Sequence, residues 1–325
     1  MASSAPAAKT SEIEDLVLGE LRKVYEMNPI ERGFAWQRGE DVTRLWFKPT
    51  TAPADKFELC ATAVVETVFC ERLPAPPEPE LARLNRRACF GSFFVENGRL
   101  GIRATYCIYE KEPAAQWIAI ALLRAMGEQL ALGYGIAESE LQPDTLAGNR
   151  ANLAYRRRWA EPQDPQVFDV IASQFREKGF VSTRGGHSLA LEFPLGGGSP
   201  SRMFDPKAET ALLHVSTDVP HPLAGVGYAA TIALPYDPAS ADVPSWCRWL
   251  NDAENAMQDF VPRLGAWGMR SLDRELVYSL FWPTDRSDTG LPRTIMNWLV
   301  MRTIWLQERY WKPGVGLVRQ GGAHA

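Results

Sequence analysis

The chain has 325 residues, 46% hydrophobic and 23% charged, with 35 Lys and Arg against 39 Asp and Glu for a formal charge of -4. That profile belongs to a folded globular protein, long enough at roughly 150 residues per domain for two domains, and it excludes disordered, fibrous and collagen-like classes. Neither half is basic, at 20 cations against 22 acids up to residue 163 and 15 against 17 after it, so no nucleic-acid-binding surface is expected.

The opening MASSAPAAKTSEIEDL lacks the cationic segment and apolar core of a secretory signal, and no apolar run reaches about 18 residues, so a cytoplasmic protein that does not enter the membrane is expected. Ser11 to Glu14 reads as a capping box, and Ile13, Leu16, Val17, Leu21, Val24 and Tyr25 share one face of the helix that follows. FAWQR, TRLWFK and FELCATAVVETVFCERL are strand-like, rich in β-branched and aromatic residues, and PAPPEP closes them. ELARLNRR is a short helix. FGSFFVENGRLGIRATYCIYE reads as a hairpin turning at Asn97-Gly98, a dipeptide suited to positive φ. EPAAQWIAIALLRAMGEQLAL, with Pro113 near its start and Gly133 past its end, is a long apolar helix.

Residues 141–163, which contain the basic run Arg156-Arg157-Arg158, show no sustained periodicity and read as a linker. The order then restarts. A helix carrying Phe168, Ile171 and Phe175 stops at Gly179, and SLALEF, TALLHVST and GYAATIALPY are strands. PSWCRWLNDAENAMQDF is the middle helix, GAWGMRS and ELVYSLFWP the hairpin, and PRTIMNWLVMRTIWLQERYW the closing helix. Two similar α+β domains, 11–140 and 164–318, are expected. Five cysteines (Cys60, Cys70, Cys89, Cys107, Cys247) in a chain of this length read as reduced packing thiols.

Set side by side, Leu84-Asn85 matches Leu250-Asn251, Gly91-Ser92-Phe93 matches Gly265-Ala266-Trp267, Leu100 matches Leu276, and Trp117 matches Trp298. The Leu-Asn ending of the middle helix, the glycine-aromatic strand, the hairpin and a closing helix with an early tryptophan together resemble the YbjN-like and type III secretion (Tir) chaperone-like domains. The resemblance implies an α-β-β-β-α-β-β-α order in each half and a non-enzymatic scaffold. It also implies that no cofactor is needed, and that an extended client protein segment is held on the surface by units usually paired as homodimers. Fused in one chain, two such units would form a monomeric pseudo-dimer, or a homo-oligomer of it. An antiparallel sheet with helices on one face leaves its other face to be covered by the sister half, a second chain or a client.

The same alignment sets Glu80, Arg83 and Arg124 opposite Trp246, Trp249 and Trp305. Charged positions that become indoles mark either the contact between halves or a surface for a partner. Only four histidines exist, and His214, Asp218 and His221 in HVSTDVPH are the one grouping with metal-capable side chains, at no recognised ligand spacing. GVGYAA fits G-x-G-x-x-A, yet a strand rather than a helix follows it, so no dinucleotide site is expected. GGGSPSR lacks the Lys-Ser/Thr ending of a P-loop. The reading is a protein-binding or chaperone-like module. The alternatives are an enzyme or small-ligand binder using a cleft between the halves, and a structural subunit of a larger bacterial assembly that docks through its closing helix.

Overall fold

Residues 188–194 show why this chain builds sheets: Leu189, Leu191 and Phe193 are buried while Glu192 among them is exposed, the period of two that a half-covered strand requires. The computed structural model describes residues 5–31, 33–38, 41–48, 59–69, 75–88, 90–109, 122–123, 126–127, 129, 133–141, 166–195, 209–217, 221, 227–235, 243–256, 264–270, 275–283 and 291–319. The first half holds α1 (Ala5–Arg22), β1 (Asn28–Ile30), β2 (Gly33–Arg38), β3 (Asp41–Lys48), β4 (Leu59–Val68), α2 (Glu78–Arg87), β5 (Ser92–Glu96), β6 (Arg99–Tyr109) and α3 (Tyr134–Leu141). The second holds α4 (Gln166–Glu177), β7 (Val181–Arg184), β8 (Ser188–Pro194), β9 (Thr210–Ser216), β10 (Gly227–Ala233), α5 (Val243–Ala256), β11 (Ala266–Arg270), β12 (Glu275–Pro283) and α6 (Leu291–Tyr310). A small ladder of β13 (Trp311–Lys312) and β14 (Gly316–Leu317) follows.

Each half is a six-stranded antiparallel sheet with its helices, and the strand orders are the same: β1-β2-β3-β4-β6-β5 and β7-β8-β9-β10-β12-β11. The protein is therefore α+β and built of two similar units. Four strands, not three, precede each middle helix. The additional ones are edge strands too short for a periodic signal: β1 has three residues, all exposed and including Pro29, and β7 has four, two exposed and two half-buried. Asn97 (φ 52) and Gly98 (φ 73) make the expected hairpin turn.

In the first half Leu45, Ala63, Val65, Phe93, Leu100 and Ile102 form the core, with Val17, Leu18 and Leu21 of α1 packed on it. Helix α1 begins at Ala5, so Ser11 lies inside it rather than capping it, and Leu16 and Val24 are exposed. Gly133 does not end the helical stretch: α3 continues past it, and a Cβ there would meet Phe69 at 3.2 Å and Ile102 at 3.4 Å. In the second half α4 and α6 cover Leu189, Leu213, Val215, Ile232 and Tyr278. Buried apolar side chains from both halves join in one contiguous cluster. Residues 142–163 and the GGGSPSR loop lie outside the described residues, as do Trp117 and Arg124. Among the described residues no helix is long and apolar enough to cross a membrane.

Candidate functional site

An edge strand presents unpaired amides and carbonyls, and these must be met by something. The facing edges of the two sheets are β5 and β11, and each is sealed by an asparagine from the helix before it. Asn85 Oδ1 accepts from Phe93 N at 2.6 Å while its Nδ2 donates to Phe93 O at 3.3 Å. Asn251 makes the same pair with Trp267, both at 2.9 Å. A primary amide carries the donor and acceptor of a peptide unit, so each asparagine stands in for one residue of a further strand. The internal match thus has a structural meaning, and the register extends it: Val95 opposite Leu100 corresponds to Met269 opposite Leu276, and Phe94 to Gly268.

At that last pair the two halves part. Helix α2 lies across β11 so closely that a Cβ on Gly268 would stand 2.5 Å from Arg86 N and 2.9 Å from Ala82 O. The equivalent position of β5 holds a phenylalanine. The Phe94 ring lies over Gly101 of β6, where a Cβ would be 2.6 Å from Cζ, and the Arg103 guanidinium sits 4.5 Å from the ring centroid. With a benzyl group where the sister strand has hydrogen, α5 cannot seat on β5 as α2 seats on β11. Between α2, β5 and α5 there remains a cleft of 230 Å³ whose lining includes Leu81, Phe94, Val95, Cys247, Arg248 and Asp252.

The joint is held around this cleft by contacts from both halves. Arg248 Nη1 donates to Glu78 Oε1 at 2.9 Å, Lys48 Nζ to Asn255 O at 3.0 Å, and Gly91 N to Leu264 O at 2.7 Å. Phe90 meets Trp282 edge to face at 5.3 Å. His221 Nε2 lies 3.0 Å from Arg87 O and its ring 5.1 Å from Phe281; burial pushes its pKa down, against the hydrogen bond to the Arg87 backbone, which raises it, and with the Arg87 charge, which lowers it.

Charges here come in opposed sets. Buried Glu66 accepts from Arg103 Nε at 2.7 Å and has Arg44 at 3.8 Å; Arg248 bridges Glu78 and, at 3.8 Å, Asp252. Asp252 is at the rim, open to water on one side; loss of hydration on the other raises its pKa against the pull of Arg248 and Arg103. Deeper in the second half, Glu254 receives Arg302 Nε at 2.8 Å, Arg302 Nη2 at 3.0 Å and Trp267 Nε1 at 2.7 Å.

Trp246, Trp249 and Trp305 are brought together, within the second half. Edge-to-face contacts run from Trp246 to Trp249 (5.4 Å), Trp249 to Tyr310 (4.7 Å) and Tyr310 to Trp305 (5.0 Å). Arg319 sits 4.8 Å from the Trp246 ring and donates to Ser245 Oγ at 2.6 Å, so the chain after α6 returns to cover Trp246. The equivalent Glu80 and Arg83 form a 3.6 Å ion pair in solvent. His214 is on β9, opposite Ala190 and Thr231, and His221 belongs to the joint. Asp218 lies outside the described residues. No group of three or more His, Cys, Asp or Glu side chains placed to hold a metal occurs among the described residues. Gly227–Ala233, which completes GVGYAA, is strand β10.

Sequence reasoning passed over Phe94 and Gly268. The signal was adjacent: the aligned Gly-Ser-Phe and Gly-Ala-Trp triplets are followed at once by the position where the halves differ. No protein-family model, no curated protein and no solved structure matches this chain.

Proposed function

We propose that this chain is a non-enzymatic cytoplasmic protein-binding module that holds a client or partner protein at the joint of its halves, in the manner implied by its resemblance to YbjN-like and type III secretion chaperone-like domains. The observation that carries this reading is the inequality of the two joints: α2 closes over Gly268 of β11, and the corresponding approach to Phe94 of β5 is left as a cleft. The charges support a scaffold role: Glu66, Glu78 and, deeper in the second half, Glu254 are each held by arginine.

Affinity purification of the tagged full chain followed by mass spectrometry tests it, run beside Val95→Lys, which places a charge at the cleft. A defined set of proteins retained by the parent and lost with V95K is expected; an identical set, or none above background, overturns the reading. A small-ligand site in the same cleft is the second reading, and the polar side chains of Arg248, Asp252 and Asn255 among its lining favour it. Native mass spectrometry showing a bound small molecule displaced by V95K would select it. Docking of a larger assembly through α6 has less surface to use, because Ile295, Met296, Leu299 and Leu306 are buried in the chain's own core.

A further inference from the structure

We propose that the cleft accepts one uncharged, apolar side chain of a partner segment that lies extended along the outer edge of β5, with Val95 supplying its backbone hydrogen bonds. This rests on the protein-binding reading and specifies its partner chemistry.

The edge geometry comes first. Phe93 turns its N–H and C=O away from β6, since both are bonded to Asn85. Strand alternation therefore turns the N–H and C=O of Val95 the same way, while Phe94 and Glu96 pair inward with Gly101 and Arg99. Asn85 meets only the Phe93 pair. No described residue meets the outward pair of Val95, which is 38% exposed and lines the cleft. An extended chain laid beyond Asn85 would continue the rung that the asparagine begins. On the sister strand the equivalent Met269 is buried, and α2 lies across that edge.

The walls decide what side chain enters. Three charged side chains line the cleft, Arg248 set against Glu78 and Asp252, and beyond the Phe94 ring Arg103 is set against Glu66, with Arg44 at 3.8 Å from the same carboxylate. A further charge would arrive without a counter-charge and lose hydration, whereas an apolar side chain would meet Leu81, Phe94 and Val95. At 230 Å³ the space is large enough for an apolar side chain and too small for a helix.

The probe is an end-capped seven-residue peptide of alternating threonine and leucine carrying a fluorophore, titrated against the full chain by anisotropy. Val95→Pro deletes the outward N–H without touching a ladder bond to β6, and Val95→Thr keeps it. The expected result is binding to the parent and V95T, with V95P weaker by about fivefold, the worth of one net hydrogen bond. Peptides with leucine replaced by glutamate or lysine should bind at least as poorly as V95P binds the parent peptide. Equal affinity for V95P, equal affinity for charged peptides, or no binding of the leucine peptide overturns the proposal. Amide exchange of Val95 in the unmutated protein gives a test independent of whether V95P folds: its N–H should slow on adding the peptide, and an unchanged rate refutes the contact. If partners are retained in the affinity purification equally by parent and V95P, this edge is wrong while the protein-binding reading stands; if none are retained, the broader reading fails.

Discussion

Replacing Asn251 by alanine removes both hydrogen bonds to Trp267, a residue with no solvent exposure, and leaves its N–H and C=O facing a methyl group. Each buried backbone group left unpaired costs about 1–3 kcal/mol, so the pair costs about 2–6 kcal/mol. Alanine's better helix propensity offsets this by ~0.5 kcal/mol, for a net loss of about 2–5 kcal/mol. Asn251→Asp keeps the acceptor for Trp267 N but turns an anion toward Trp267 O, so it should be no milder. Asn85→Ala should act in the same direction but less, because its donor bond is the longer one at 3.3 Å. Urea unfolding followed by tryptophan fluorescence reads the effect: with m of roughly 1–3 kcal/mol/M, a loss of ~3 kcal/mol moves the midpoint by one to a few molar. A loss below about 1 kcal/mol for N251A would mean that water or a neighbour takes over both groups, and the view of this asparagine as an edge seal would be wrong.

Gly268→Ala should push α2 off β11, since the new methyl would meet helix backbone rather than a side chain; a loss of about 1–3 kcal/mol is expected, and a neutral thermal melt would contradict it. Arg302→Met strands Glu254 in the core, which should cost about 3–5 kcal/mol, while adding Glu254→Met should recover much of that in the same unfolding assay. The depressed pKa of His221 means that the folded joint favours the neutral ring. Its contribution is therefore full above the ordinary histidine value of about 6.5 and is lost as pH falls through the lower folded value. Unfolding midpoints measured from pH 7.5 down to 5 should fall less steeply in His221→Gln, and equal slopes would show that another group governs acid sensitivity.

Much of the architecture was legible before any coordinates. The strand-like runs SLALEF and TALLHVST marked β8 and β9, Asn97-Gly98 marked the hairpin, and the repeated Leu-Asn located the two edge seals although not what they do. Two kinds of information were not legible. Short edge strands such as β1 carry no pattern, because neither face of three exposed residues is selected for burial. Contacts distant in sequence were the other: nothing local to Trp246 and Trp249 says that Tyr310 and Arg319 return to cover them, and nothing local to Gly268 says that the helix pressing on it comes from the other half. Alignment of the halves showed where indoles stand opposite charge, but the glycine-for-phenylalanine difference one residue past the matched triplet decides the shape of the joint.

Two identical subunits would carry the same residue at both of their mutual contacts, and any change made at one would appear at the other. Two similar units in a single polypeptide are free of that constraint, so glycine at 268 can lock one side while phenylalanine at 94 props the other. A locked side supplies permanent cohesion, and the propped side is then at liberty to change without dissolving the molecule. Among the described residues this leaves one such opening at the joint of each polypeptide, a ratio of one to two units that a symmetric pair of separate units could reach only by breaking its own symmetry.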